Sequence, residues 1–188
     1  MRIVFSIGDI HGIGPEIILK SFLKLRETGQ SFLVAGSYKA MEYCRQKLGL
    51  PVELELVGEA GMLNGHGTSR SGVLPVLSVA EPTAITPGTL SAEAGRIAVQ
   101  SVTAAAELCR KKVCDAMVTA PIHKKAATLA GFGEKGHTGF LGKLFGVSSP
   151  TMMFVDPVTE LKLALATVHE PLERVPRILR NKIGRAHV

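Results

Sequence analysis

The feature that most constrains this chain is an alternation: short apolar, β-branched runs take turns with segments whose apolar residues recur at helical spacing. That alternation predicts βαβ units and a largely parallel sheet, because parallel neighbours need a crossover long enough to hold a helix. Arg2–Ser6 reads as the first strand and residues 8–14 as a turn. Pro15 stands at a first helical position, ahead of the stripe Ile17, Ile18, Phe22, Leu23 and Leu25. Residues 31–35 read as strand, Tyr38–Leu48 as helix, 52–57 as an alternating strand and the glycine-rich stretch 58–74 as loop. A strand at 75–79 and a turn at 83–89 precede a long Ala-rich helix, opened by Ser91 and Glu93 and running to about Lys112. Then come a strand at 114–119, a helix Lys124–Leu129 closed by Gly131, and a helix at 140–145. Strands at 151–155 and 161–167 flank the Asp156-Pro157 turn, and a further helix starts at Pro171. The expected class is α/β, with a first domain over 1–125 and the beginning of a second over 126–182.

Composition sets the function classes. With 188 residues, 46% hydrophobic and 20% charged, the chain can bury a core and is not a disordered tail. No apolar run approaches the roughly 18 residues that span a bilayer, and residues 3–7 are too short for a signal-peptide core, so a cytoplasmic protein without a membrane partner is expected. Cys44, Cys109 and Cys114 are odd in number and lack metal or redox spacing, which fits a reducing compartment. The net charge is +6, with basic residues gathered at Arg174, Arg177, Arg180, Lys182 and Arg185. Without tryptophan and with only two tyrosines there is nothing for bases to stack on, so nucleic acid is not an expected partner. A small phosphorylated or carboxylated molecule would use the surplus cations, and a solvated helix face explains them best.

The residues that could carry chemistry lie at strand ends. In Gly8-Asp9-Ile10-His11-Gly12-Ile13-Gly14-Pro15-Glu16 the glycines could bring backbone N–H groups to an anion, or form a plain tight turn. Ile17 stands where the dinucleotide fingerprint has its third glycine. Asp9 could meet a ligand hydroxyl or cap the helix. Lys124, in His123-Lys124-Lys125, could face a phosphate or solvent. Gly136-His137-Thr138-Gly139 offers an imidazole, a hydroxyl and open backbone together, a set that can grip a phosphate or carboxylate. His169 has no second ligand at local metal spacing, so by spacing it is an ordinary loop histidine.

The last six residues, Ile183-Gly184-Arg185-Ala186-His187-Val188, are what one frame of a widely used short-read sequencing adapter translates to, ending at a stop codon. Residues 183–188 are therefore expected to be a non-native tail on a truncated frame, with native sequence ending near Asn181. The other reading is a natural turn with Gly184 as helix cap.

Taken in order, Gly8-Asp9 with Gly12-Ile13-Gly14-Pro15-Glu16, then Thr119-Ala120-Pro121-Ile122-His123-Lys124, then Gly131-Phe132 with Gly136-His137-Thr138, then Ala164-Leu165-Ala166-Thr167-Val168-His169-Glu170-Pro171-Leu172, resemble the 4-hydroxythreonine-4-phosphate dehydrogenase family. The resemblance implies an isocitrate/isopropylmalate dehydrogenase-like three-layer α/β/α fold, here C-terminally truncated. It implies that His137 and Thr138 bind substrate and that His169 is a ligand of a divalent metal (Zn, Mg or Co), which replaces the spacing-based reading of His169. It further implies NAD or NADP as cofactor and a homodimer that completes the metal site. No residue here is assigned as catalytic or cofactor-binding, since the remaining ligands and most of the nucleotide site belong to the missing portion. The implied reaction oxidises 4-phosphooxy-L-threonine, with decarboxylation to 3-amino-2-oxopropyl phosphate, in pyridoxal 5'-phosphate biosynthesis. Two departures stand out: Ile10-His11 replaces the family's common Pro-Ala, and Gly139 replaces a glutamate. The second keeps open a related threonate or erythronate 4-phosphate dehydrogenase. A non-catalytic anion-binding module is the alternative of another class.

Overall fold

The computed structural model describes residues 1–58, 72–134, 136–148 and 150–182. Most of the expected 58–74 loop and the whole 183–188 tail lie outside the described residues. Two compact units divide the chain, Met1–His137 and Thr138–Val188.

The first unit is built on five strands, β1 (Arg2–Ser6), β2 (Ser31–Gly36), β3 (Glu53–Val57), β4 (Val73–Ser78) and β5 (Ala116–Thr119), in the order β3-β4-β2-β1-β5. Every pairing is parallel. The crossovers carry α1 (Gly14–Leu25), α2 (Tyr38–Leu48) and α3 (Ala92–Arg110). Side chains alternate across β1, which lies between β2 and β5: Phe5 and, just past it, Ile7 join Ile18, Leu19 and Phe22 of α1, whereas Val4 joins Ala105 and Leu108 of α3. Strands buried on both faces explain why β1 and β2 read as continuous apolar runs. Phe22, Phe32, Leu19 and Leu33 are fully buried, each contributing about 1.5–3 kcal/mol of transfer free energy.

Local chemistry sets the helix ends. Ser37 and Ser91 cap α2 and α3 by accepting the N–H groups of Ala40 and Ala94, and Gly49, at φ 61°, closes α2 in the left-handed region. A short helix, α4 (Lys124–Leu129), packs on α3 with its backbone against Gly95, where a Cβ would fall onto the Ala126 carbonyl. This contact ties α4 to the first unit, whereas the sequence reading put residues 126–129 in the second domain.

The second unit contains α5 (His137–Leu144, which begins at the last residue of the first), a β6 (Met153–Val155) and β7 (Lys162–Ala164) antiparallel hairpin, a 3₁₀ turn (Leu172–Arg174) and α6 (Val175–Lys182). Helix α5 starts three residues before the expected 140, so His137 and Thr138 sit in its first turn and not in a loop. The strands are shorter than the apolar runs suggested. At the hairpin turn the Asp156 carboxylate accepts the Val158 N–H and the Thr159 hydroxyl. His169 lies outside any strand, at φ 56°.

Candidate functional site

The chain leaves β1 towards β2 and later returns on β1's other side as β5, so strand order reverses at β1. In open parallel sheets ligands bind outside the carboxyl ends of the strands at such a reversal. Three segments meet there: the turn 8–14, the 120–123 segment after β5, and the 80–90 loop after β4. The Asp9 N–H donates to the Pro121 carbonyl at 2.9 Å, and the Gly88 N–H to the His11 carbonyl at 2.8 Å.

The glycines of the turn serve the chain itself. A Cβ on Gly8, which sits at φ 71°, would fall onto the Pro121 carbonyl, and one on Gly14 onto the Ile7 carbonyl. These are close backbone approaches within the protein, so the turn lacks the open cradle a dinucleotide needs. Asp9 does not cap α1: its Oδ1 accepts the His11 N–H at 3.0 Å, and the capping position is Ile13, with no side-chain bond. Cys114 is buried and its thiol is pushed up to about 11 by desolvation, while burial also raises Cys44 and Cys109. All three are poor nucleophiles at neutral pH.

His123 caps α4, its Nδ1 accepting the Ala126 N–H at 3.3 Å, while Lys124 and Lys125 are exposed in the first turn. Cations there oppose the helix dipole, which favours anions at a helix start. His137, half-buried at the start of α5, differs: its Nε2 is out of contact with solvent and has no hydrogen-bond partner among the described residues. Desolvation lowers its pKa, so the ring is neutral at physiological pH. A buried, unpaired ring nitrogen is unfavourable unless something else satisfies it. Thr138 and Gly139, next in the helix, are exposed.

His169 is exposed and in left-handed backbone, a strained conformation for a non-glycine residue that histidine tolerates better than most. Among the described residues no three His, Cys, Asp or Glu side chains are grouped to hold a metal ion. One exposed imidazole can be one ligand of a metal but is not a chelate, so the described residues alone do not form such a centre.

Two residues of this edge bond to partners that gave no sequence signal. Glu81, following β4, bonds across to the start of α2: Oε1 accepts the Tyr38 N–H (2.8 Å) and the Ser78 hydroxyl, and Oε2 accepts the Ser37 hydroxyl (2.5 Å) and the Lys39 N–H (3.1 Å). Partial burial pushes its pKa up, but these four donors outweigh burial and the net shift is downward. His11 is the other; its ring lies against the 80–90 loop, more than seventy residues away in sequence.

A parallel sheet with helices on both faces and loops gathered at its reversal point defines a ligand-binding α/β protein. A solved 4-hydroxythreonine-4-phosphate dehydrogenase from Burkholderia phymatum has the same fold over 98% of this chain and 56% of its own, with a TM-score of 0.82 and 28% identity. The family model of pyridoxal phosphate biosynthetic protein PdxA matches residues 28–186, and the chain belongs to that family. The 4-hydroxythreonine-4-phosphate dehydrogenase of Prosthecochloris aestuarii is 48% identical over 94% of this chain and 53% of the relative. A D-threonate 4-phosphate dehydrogenase of Bordetella bronchiseptica is 32% identical over 90% of this chain and 48% of the relative. The chain thus spans about half the length of these relatives.

Proposed function

We propose that this chain supplies the first sheet and the substrate-binding helix start of a dehydrogenase that oxidises 4-phosphooxy-L-threonine with NAD or NADP. The keto acid formed loses carbon dioxide to give 3-amino-2-oxopropyl phosphate, a step of pyridoxal phosphate biosynthesis. The observation that carries the reading is His137: a neutral imidazole with a buried, unpartnered Nε2 in the first turn of α5. It can donate to or accept from a polar substrate without carrying charge, while the exposed Thr138 hydroxyl and the N–H groups of the helix start offer further donors. Their role is positioning, holding the reacting carbon where hydride transfer can occur. His169 is proposed as one ligand of a divalent metal, whose remaining ligands come from outside the described residues. NAD or NADP is likewise proposed to bind mainly elsewhere, since the turn 8–14 is closed against its own chain. The working protein is proposed to be a cytoplasmic homodimer; among the described residues no helix is long and apolar enough to cross a membrane.

A second reading, oxidation of D-threonate 4-phosphate, draws support from the 32% identical relatives that carry that name and from Gly139, which puts no carboxylate beside the substrate pair. The test joins this chain to the remaining half of the Prosthecochloris aestuarii relative and follows NAD(P)H formation with each substrate. Turnover of 4-phosphooxy-L-threonine is expected, falling at least about 100-fold in His137→Ala. A preference for D-threonate 4-phosphate would favour the second reading, and a folded chimera that reduces neither cofactor would sink both.

A further inference from the structure

His11 is 6% exposed, and nothing in the proposed chemistry uses it. Its Nδ1 lies 3.2 Å from the Thr89 carbonyl oxygen and 3.1 Å from Thr89 Oγ1, and its Nε2 lies 3.4 Å from the Ala84 carbonyl oxygen. Thr89 Oγ1 gives its own hydrogen to the Thr86 carbonyl at 2.7 Å, so it turns a lone pair towards the ring. Three acceptor oxygens of one loop therefore face two ring nitrogens. A neutral imidazole has one N–H and can serve one side of the loop; a second proton serves the other.

The backbone closes the same contact. Gly88 donates to the His11 carbonyl, and the His11 N–H is held by Asp9. Farther along, Glu93 in the first turn of α3 accepts the Thr83 N–H at 3.1 Å and its hydroxyl at 3.0 Å. The charged groups around the ring are Asp9 on its own turn and Glu93 on α3, with Arg96 beside Glu93.

We propose that His11 is a positioning residue that latches residues 83–90 onto the turn 8–14 and so fixes the ligand-facing edge of the sheet. The loop bears no other buried side chain bonded to the turn among the described residues, so beside the Gly88–His11 backbone bond the relative placement of the two segments depends on this ring. The inference rests on the geometry of this chain and goes beyond the dehydrogenase reading.

The test is hydrogen exchange by mass spectrometry on the full chain, comparing the parent sequence with His11→Ala and His11→Gln under one set of conditions. Protection of residues 83–90 is expected to fall about tenfold in His11→Ala, with α2 and β2 unchanged. His11→Gln keeps one side-chain amide donor, so its protection should be intermediate. Equal protection in the parent and His11→Ala overturns the latch. Should His11→Ala unfold globally, seen as lost protection in α2 and β2, His11→Gln decides alone: protection of residues 83–90 below the parent's supports the latch, and protection equal to the parent's overturns it. Because the readout is local protection and not turnover, failure here leaves the dehydrogenase reading standing, and failure of the chimera leaves the latch standing.

Discussion

The two units of the chain solve the problem of burial differently. In Met1–His137, Phe22, Phe32, Leu19, Leu33 and Ile97 are removed from solvent on the two faces of one sheet. In Thr138–Val188 the hairpin exposes Met153, Phe154, Val155 and Leu163, each more than half accessible, with Val158 and Leu172 at 88% and 86%. A two-stranded hairpin is marginal on its own, and a unit of about fifty residues has little surface to bury. The first unit is thus stabilised by its own packing, whereas the apolar side chains of the second contribute little to holding it. Apolar content alone does not reveal this difference, because both units are rich in Val, Leu, Phe and Met.

The sharpest way to break the comparison is to remove one large side chain from each unit. Leu19→Ala is expected to lower the stability of the first unit by about 2–5 kcal/mol, against about 0.5 kcal/mol or less for Leu163→Ala, as read by urea unfolding. Similar losses would show that the second unit is cored after all.

A smaller effect is expected at Glu81, which joins β4 to α2. Glu81→Gln should cost the first unit about 1.5–3 kcal/mol, at the lower end because the carboxylate is only partly buried. Its folded pKa is depressed, so its contribution is complete above the unfolded value of 4.5 and is lost as pH falls through the folded value. The variant should therefore lose its deficit relative to the parent in acid. A deficit that persists there would assign the effect to shape and not charge.

The smallest change in stability, within about 0.5 kcal/mol, is expected from Phe154→Thr combined with Leu163→Thr. The informative readout is binding of an apolar fluorescent dye, which should fall clearly if the hairpin is the main exposed apolar surface. Unchanged dye binding would place that surface elsewhere.

Much of the first unit was legible because its signals are local. The helix Tyr38–Leu48 follows from its Ser37 cap and Gly49 stop, and β1 from a continuous apolar run. The start of α5 was hidden because Gly136, Gly139 and Gly142 weaken the helical pattern. Gly142 nevertheless suits its packing, since a Cβ there would lie only 3.0 Å from the Val147 carbonyl oxygen. Asp9 was legible as a polar residue at a turn, but its choice of the His11 N–H over a helix cap depends on a backbone path that the sequence does not display. The contacts of Glu81 and His11 were invisible for another reason. Their partners lie on segments brought together only by the order of the strands, and no spacing rule reaches that far.

That strand order also governs how the chain must be made. β1 is an interior strand, yet one of its two edges is completed only by β5, with Ile3 paired to Ala116 and the Arg2 N–H to Asp115 across 113 residues. At translation rates of about 5–20 residues per second, that edge waits roughly 6–23 s for its partner. An open apolar strand edge is a template for pairing with other chains. Until β5 emerges that edge of β1 stays open to pairing with other chains, and a chaperone that covers β1 would close it.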